Sequence, residues 1–192
     1  MFQRITILIA GLFLAGCTTP SGVLVSERAI PLGGNLFVEN PDTEDQQVLV
    51  LDGPISSQTA FIFLSQVAVN PDIQGLVIAQ SPGGNLAAAH QIGRQIQSSG
   101  MNTFLIADCA SACVDIFIAG QRRDVTELSS FLLHAASNPE IGYQLDDPYW
   151  TALGFKELND QVYALDEDKA LIIDAGLARR MGLATHLTEI GS

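Results

Sequence analysis

The chain has 192 residues, of which 47% are hydrophobic, so it can form one domain with a substantial core and is too short for two domains of ordinary size. Only 16% of the residues are charged, which excludes a wholly disordered chain. The 21 acidic and 9 basic residues give a net charge of −12, which argues against a function that requires binding to the phosphates of a nucleic acid.

The first residues of the chain have the pattern of a targeting segment. Arg4 precedes an apolar run over residues 5–14, which is about half of the ~20 residues needed to span a bilayer. The run ends in Leu14-Ala15-Gly16-Cys17, which resembles the lipobox of bacterial lipoproteins. We therefore expect a signal peptide over residues 1–16, the alternative being an ordinary secretory signal that happens to contain a cysteine.

The lipobox resemblance implies that Cys17 is lipidated and anchors the chain, because several acyl chains on one cysteine hold a protein stably on a bilayer. In bacteria with two membranes, a residue other than aspartate after that cysteine, here Thr18, is the default for the outer membrane. We expect a lipid-anchored protein of the bacterial cell envelope, on the outer membrane and facing the periplasm. Residues 17–34 form the expected lipidated N-terminus and tether, and residues 35–192 the expected folded domain.

Strands and helices alternate regularly from residue 48 onwards. Continuous apolar runs predict strands covered on both faces, and apolar residues at helical spacing predict helices between them. This alternation predicts a parallel sheet with right-handed crossovers and a mainly helical C-terminal part. The predicted strands span 36–39, 48–52, 75–79, 103–107 and 131–133, and the predicted helices 59–69, 86–100, 111–119, 148–164 and 174–181.

Three segments follow or end predicted strands, where the ligand sites of α/β folds collect. The first is Ser81-Pro82-Gly83-Gly84-Asn85, whose bare glycine amides before a helix suit an oxyanion, although a plain strand-to-helix turn fits the segment as well. The second is Asp108-Cys109-Ala110-Ser111-Ala112-Cys113, in which Ser111 is either a nucleophile or a helix N-cap. The third ends in His134, which is either a general base or an ordinary core or surface histidine.

In order, spacing and context, these segments resemble the ClpP peptidase group of the ClpP/crotonase superfamily. The resemblance covers roughly residues 48–185. Ser111 opens a helix that closes at Gly120, His134 ends the next strand, and the closing helix of the family matches residues 178–183. The resemblance implies one α/β domain of ClpP/crotonase-like fold, with βαβ units and a mainly helical C-terminal part.

The resemblance also implies the chemistry of a Ser–His site. Ser111 would attack a carbonyl carbon, and His134 would take the proton of its hydroxyl group. The backbone amides of Gly84 and Ala112 would then form the oxyanion hole. No metal ion and no cofactor are expected.

The acid that would orient the histidine is the least defined member of the site. The family's acid falls at about Ala170, which is not an acid, and of the nearby Asp166, Asp168 and Asp174 we favour Asp168. If none of them orients His134, the activity would be low or absent. A related subgroup, the signal-peptide peptidase A and NfeD-associated peptidases, uses a Ser–Lys dyad instead. Lys156 lies on a predicted helix and is therefore the alternative base, although the strand-end context of the histidine favours Ser–His.

Two cysteines flank the proposed nucleophile. Cys109 and Cys113 would be the only others in the mature chain once Cys17 is lipidated, and the envelope is oxidising. A four-residue separation across a helix start can bring the two Cα atoms within the ~4.4–6.8 Å that a disulfide needs. We predict a disulfide that fixes the turn at Ser111, the alternative being two small buried thiols.

The sequence thus predicts a lipid-anchored envelope serine peptidase or related acyl hydrolase. Its expected partners are a peptide or protein substrate, the membrane through the lipid anchor, and further copies of itself in a homo-oligomer. The alternative is a catalytically inactive ClpP-like binding or scaffold lipoprotein, since a fold does not guarantee an activity. Crotonase-type chemistry on CoA esters ranks below both because CoA is a cytosolic cofactor.

Overall fold

The computed structural model describes residue 26 and residues 28–39, 47–166 and 168–189. The predicted signal peptide and the lipidation site at Cys17 lie outside the described residues. Within these ranges no helix has the length and apolar character that crossing a membrane requires. The elements in chain order are β1 (Ile30–Gly33), β2 (Leu36–Glu39), β3 (Val48–Asp52), α1 (Ser57–Val69), β4 (Gly75–Gln80), α2 (Leu86–Ser99), β5 (Asn102–Leu105), β6 (Asp108–Ala110), α3 (Ala112–Ile118), β7 (Arg123–Thr126), β8 (Ser130–Leu133), α4 (Pro139–Ala152), α5 (Lys156–Tyr163), β9 (Leu171–Asp174), α6 (Ala175–Met181) and β10 (His186–Thr188).

A seven-stranded sheet in the order β1-β2-β3-β4-β5-β7-β10 forms the centre of the fold. Strands β3, β4, β5, β7 and β10 are parallel, as the alternation of strands and helices predicts, and β1 and β2 add an antiparallel hairpin at one edge. The apolar run of β3 is covered on both faces, since Leu49, Val50 and Leu51 are at most 1% exposed. The sheet begins at Ile30 and so extends into the segment predicted as tether.

The first two helices begin and end within two residues of the predicted bounds. Ser56 caps α1 through a capping box with Thr59, in which each side chain binds the backbone N–H of the other residue. Asn85 caps α2 by accepting a 2.8 Å hydrogen bond from the Ala88 N–H group. Gly100 ends α2 in the left-handed conformation at φ +63°, which glycine adopts without steric cost.

The strand predicted over residues 131–133 exists as β8, but it lies in a second, three-stranded sheet of order β6-β8-β9. The place beside β5 in the parallel sheet is occupied instead by β7, which is not among the predicted strands. Strand β7 begins with two charged residues, of which Arg123 is half-buried. The burial of Arg123 is tolerated because its guanidinium donates hydrogen bonds to the carbonyls of Gly120, Gly182 and Leu183 at 2.8–3.0 Å. A buried strand that satisfies an arginine with backbone carbonyls has no apolar signature.

Helix α3 lies in the core and is buried at every position. Phe117 packs against Phe131 of the second sheet, with ring centroids 4.9 Å apart. On its other side α3 packs against α2 and the ring of Tyr149 from α4, and a Cβ atom at Gly93 of α2 would overlap the Tyr149 hydroxyl group. Helix α3 is thereby held between the second sheet, α2 and α4.

Candidate active site

Four of the residues predicted from the sequence line one cavity of about 200 Å³. It opens where β8 ends and α3 begins, and α4 and α5 close its far side. Asp168 is not among the residues that line it. The four predicted residues are Gly84, Ser111, Ala112 and His134.

Ser111 has the backbone of a strained turn. It lies at φ +54° and ψ −132°, a region that residues other than glycine adopt at a cost of roughly 1–3 kcal/mol. Its N–H group donates a 2.8 Å hydrogen bond to the Leu132 carbonyl, which fixes it against β8. Its side chain makes no capping hydrogen bond to α3, so the hydroxyl group is not used as an N-cap. The geometry therefore favours the nucleophile over the N-cap.

A disulfide closes the turn that carries Ser111. Cys109 and Cys113 are bonded, with Cα atoms 5.4 Å apart, as the sequence predicts. Both residues are fully buried, so the bond lies away from solvent.

The glycine turn over residues 81–85 packs directly against the segment over residues 108–112 that carries Ser111. The Ser81 N–H group donates to the Asp108 carbonyl at 2.8 Å, and the Ala110 N–H group donates to the Ser81 carbonyl at 2.9 Å. Gly83 lies at φ +86°, and a Cβ atom there would come within 2.5 Å of the Ala110 carbonyl oxygen and 2.8 Å of the Ser111 Cβ atom. Only a glycine allows this approach.

Two backbone amides beside Ser111 have no acceptor among the described residues. The N–H groups of Gly84 and Ala112 make no hydrogen bond within the described part of the chain, and both residues line the cavity beside Ser111. Ala112 is the first residue of α3, where the helix leaves its amides unpaired. Gly84 lies at φ +140°, and a Cβ atom added there would overlap the Ile55 carbonyl oxygen. Such a pair of free amides can hold an oxyanion.

His134 follows β8 directly and is exposed at the mouth of the cavity. Its Nδ1 atom lies 2.8 Å from the Ala135 carbonyl oxygen. A carbonyl oxygen only accepts, so Nδ1 carries a proton in this contact, and in the neutral ring the base is then Nε2. Ser111 and His134 share no hydrogen bond, and such bonds often tighten only when substrate binds.

The candidate acids lie away from His134. The Asp168 carboxylate is exposed and lies 3.5 Å from the Lys169 Nζ atom. Asp174 caps α6 by accepting a 2.7 Å hydrogen bond from the Leu177 N–H group. Asp166 is exposed. Across the described ranges no carboxylate forms an ion pair with His134.

Lys156, the alternative base, forms ion pairs outside the Ser111 cavity. Its Nζ atom lies 2.9 Å from both Asp147 and Asp160, and it lines a different cavity from Ser111. The hydrogen bonds to these two carboxylates raise the pKa of Lys156 above its ordinary value. A lysine that holds its proton this firmly cannot serve as a general base near neutral pH, which favours His134.

The sequence reading missed a buried polar cluster behind the cavity. His90 of α2, Asp115 of α3 and Asp146 of α4 are 2–7% exposed, and the His90 Nε2 atom lies 2.9 Å from Asp146 Oδ1 and 3.5 Å from Asp115 Oδ1. Burial lowers the pKa of His90, but hydrogen bonding and charge from Asp115 and Asp146 outweigh it and raise the pKa to about 9. The signal that could have revealed the cluster is Asp115, a lone carboxylate inside an apolar helix.

One ligand atom from each of His90, Asp115 and Asp146 lies within 4.8 Å of the others, so the cluster has the spacing of a metal site. The two carboxylates are already hydrogen-bonded, however. Trp150 Nε1 donates to Asp115 Oδ1 at 2.6 Å, and the Tyr163 hydroxyl donates to Asp146 Oδ2 at 2.5 Å. With a protonated histidine between them, the three side chains form an ion-paired cluster that requires no metal ion.

No protein-family model and no curated protein matches the sequence. The fold does match solved structures. A mutant of ClpP1 from Listeria monocytogenes superposes with a TM-score of 0.60 at 16% identity, covering 74% of this chain and 91% of that chain. A mutant of the 1510-N membrane-bound stomatin-specific protease superposes with a TM-score of 0.56 at 18% identity, covering 72% of this chain and 77% of that chain. The chain therefore has a ClpP-like α/β fold, and the predicted fold class is confirmed.

Proposed function

We propose that this protein is a serine peptidase or related acyl hydrolase in which Ser111 is the nucleophile and His134 the general base. The observation that carries the proposal is the strained backbone of Ser111, placed beside two unpaired amides in a cavity that His134 also lines. Strain of this kind persists where the surrounding structure holds it for a function. The fold similarity to ClpP1 and to a protein named as a membrane-bound stomatin-specific protease supports a peptide or protein substrate.

The chemistry follows from the roles of the residues. The His134 Nε2 atom removes the proton of the Ser111 hydroxyl as its oxygen attacks the substrate carbonyl carbon. The negative oxygen that forms is stabilised by the N–H groups of Gly84 and Ala112. The imidazolium of His134 then protonates the leaving group, and water hydrolyses the acyl-enzyme by the same steps in reverse order.

Asp168 is the residue that we propose as the acid of the site, because it lies close to the position, at about Ala170, where the family pattern has its acid. Its only polar side-chain contact within the described ranges is the 3.5 Å approach to Lys169, so little holds it in its present orientation. The Ala135 carbonyl meanwhile selects the tautomer of His134 that a base requires.

The cellular setting is also proposed from the sequence. A lipidated Cys17 would anchor the enzyme to the outer membrane, facing the periplasm, with residues preceding the sheet as its tether. An oxidising periplasm agrees with the disulfide between Cys109 and Cys113. We propose a homo-oligomer in this setting, as in the family that the sequence resembles.

The experiment that tests the function is labelling of the purified full-length chain, in detergent, with a fluorophosphonate probe that reacts with activated serines. We expect labelling of the wild type and its loss in Ser111→Ala and in His134→Ala. Lys156→Met is the matched control for the alternative base and should label at the wild-type rate. Loss of labelling in Lys156→Met together with full labelling in His134→Ala would establish the Ser–Lys dyad instead.

The second candidate function is an inactive binding or scaffold protein with the same fold. It is favoured by one observation, the absence of an ion pair between His134 and any carboxylate of the described residues. A folded wild-type protein that no fluorophosphonate labels, with its disulfide intact or reduced, would select this candidate over the peptidase.

A further inference from the structure

Helices α4 and α5 form the far wall of the Ser111 cavity and are bound firmly to each other. Five of the residues that line the cavity belong to these two helices. The Tyr143 hydroxyl of α4 donates a 2.9 Å hydrogen bond to Asp160 of α5, and Lys156 of α5 pairs with Asp147 of α4 at 2.9 Å. The two helices are therefore one structural unit.

The polar side chains of this unit contact the rest of the molecule at the buried cluster of His90, Asp115 and Asp146. The Tyr149 hydroxyl donates to the Asp115 carbonyl at 2.7 Å, and Trp150 Nε1 donates to Asp115 Oδ1 at 2.6 Å. Asp146 Oδ1 lies 2.9 Å from His90 Nε2. In the part of the chain that the structure describes, no other side-chain hydrogen bond or ion pair joins α4 or α5 to another helix or strand.

The cluster depends on the proton of His90. The side chain lies between two carboxylates, and one oxygen of Asp115 lies within 4.8 Å of one oxygen of Asp146. Burial raises the pKa of Asp115 to about 6, so this carboxylate is charged over the range in which His90 loses its proton. A neutral His90 would leave two buried like charges without a cation between them, which favours their separation. Asp115 belongs to the core helix α3, so their separation requires a movement of α4.

No other group that faces His90 supplies the missing charge. The Tyr149 ring stacks on His90 with centroids 4.1 Å apart, and the Tyr163 hydroxyl donates to Asp146. Burial raises the pKa of both tyrosines above the ordinary value of about 10, so neither becomes charged in this range. Arg94 lies 5.8 Å from the centre of the Tyr149 ring and, within the described ranges, forms no ion pair with either carboxylate.

We propose that this cluster is a latch, in which protonated His90 holds α4 and α5 against α2 and α3, and loss of the proton releases the two helices from the Ser111 cavity. The inference goes beyond the proposed function and does not depend on it, because the latch acts on the helices whether or not Ser111 is a nucleophile.

The size of the effect follows from the two states of His90. Its pKa is about 9 with the helices in place, against 6.5 for an exposed histidine, so the proton strengthens closure by a factor of up to about 300. This contribution is fully present below pH 6.5 and is lost as the pH rises through 9.

The test is amide hydrogen exchange of the full-length chain in detergent, followed by mass spectrometry of peptides at a series of pH values between 6.5 and 9. Each exchange rate is compared with that of an unstructured peptide at the same pH, which gives a protection factor. We expect lower protection in α4 and α5 than in β3 and β4 at every pH. We also expect protection in α4 and α5 to fall at least about tenfold between pH 6.5 and 9.

His90→Gln is the informative variant because glutamine stays polar and does not titrate. We expect protection in its α4 and α5 to be independent of pH and close to that of the wild type at pH 9. His186→Gln is the matched control, since this histidine is 54% exposed and lies beside Asp124, outside the cluster. It should keep the pH dependence of the wild type.

The outcomes separate the latch from a merely structural cluster. Equal protection of α4–α5 and β3–β4 peptides at each pH would show that the cluster opens only with the whole fold, and would overturn the latch. Protection in α4 and α5 that does not change with pH would overturn it as well. Both comparisons are made within the wild type, so they hold even if His90→Gln does not fold. A wild type that no fluorophosphonate labels, and whose α4–α5 protection falls with pH, would retain the latch and lose the peptidase.

Discussion

Cys109 and Cys113 are joined across Ser111, with their Cα atoms 5.4 Å apart, so the strained peptide of the proposed nucleophile lies inside a small covalent ring. The ring spans the end of β6 and the first turn of α3, and both sulfur atoms are buried. The conformation of Ser111 is therefore fixed by a covalent bond as well as by hydrogen bonds to its neighbours.

Removing the disulfide should allow the backbone at Ser111 to change its conformation. We expect the double substitution Cys109→Ala with Cys113→Ala to lower the free energy of unfolding by about 2 kcal/mol, the value that chain entropy gives for so short a loop. The rate of fluorophosphonate labelling should fall as well, because Ser111 can leave its positive φ angle. Urea unfolding and labelling kinetics measure both, with the mature wild type under non-reducing conditions as control. Wild-type labelling by the double variant would show that hydrogen bonds alone hold the turn.

Gly83→Ala should lower the stability and the labelling rate by more than its positive φ angle alone predicts. The new Cβ atom would come within 2.8 Å of the Ser111 Cβ atom, so the nucleophile has to move. Gly154→Ala is the matched control because Gly154 has nearly the same φ angle, +84°, with no atom within 4 Å of its Cβ position. We expect Gly154→Ala to cost about 1–2 kcal/mol of stability with unchanged labelling, and Gly83→Ala to abolish labelling. Equal effects of both would contradict the close packing.

The stability of the fold should depend on His90 at alkaline pH. Its pKa is raised in the folded state from 6.5 to about 9, so its contribution is fully present below pH 6.5 and is lost as the pH rises through 9. We expect the free energy of unfolding to decrease by up to about 3 kcal/mol between pH 6.5 and 9. Asp115, whose pKa burial raises to about 6, acts in the same direction at lower pH.

The control for this pH dependence is an exposed histidine. His90→Gln should flatten the decline between pH 6.5 and 9, whereas His186→Gln, at a side chain that is 54% exposed, should leave it unchanged. Urea titrations at a series of pH values measure both. A decline that persists in His90→Gln would assign the effect to other groups.

The role proposed for Asp168 can be tested by comparing substitutions of two neighbouring aspartates. Asp168→Asn should slow fluorophosphonate labelling by at least about tenfold if its carboxylate orients His134 during the reaction, because an oriented base contributes this much or more to acyl transfer. Asp166→Asn is the matched control, an exposed carboxylate two residues away, and should label normally. Wild-type labelling by Asp168→Asn would assign the orientation of His134 to the Ala135 carbonyl alone.

Features that depend on local pattern could be predicted from the sequence. The apolar run of β3 and the extents of α1 and α2 are each defined within a few residues, and the structure has them within two residues of the predicted bounds. The Ser111 segment could be located because its spacing to Gly120 and His134 is typical of one family. Such features need no knowledge of which elements meet in space.

Features that arise from tertiary packing could not be predicted. Strand β7 has no apolar run that would predict it, because its half-buried Arg123 donates hydrogen bonds to carbonyls about sixty positions later in the chain. His90, Asp115 and Asp146 come from three helices, and only the folded structure brings them within hydrogen-bonding distance. The acid of the site remains a prediction for the same reason, since neighbourhood in sequence does not determine which carboxylate approaches His134.

The order of the elements along the chain has a consequence for how the enzyme would mature. Ser111 and His134 directly follow β6 and β8, which pair with each other, whereas the side chains that close the cavity come from α4 and α5, which are made later. Strand β9, which covers the other edge of β8, follows later still. A chain that emerges from a ribosome or a translocation channel therefore carries the proposed nucleophile and base before the helices that enclose them have been made, and the proposed site is closed only when the last third of the chain has folded.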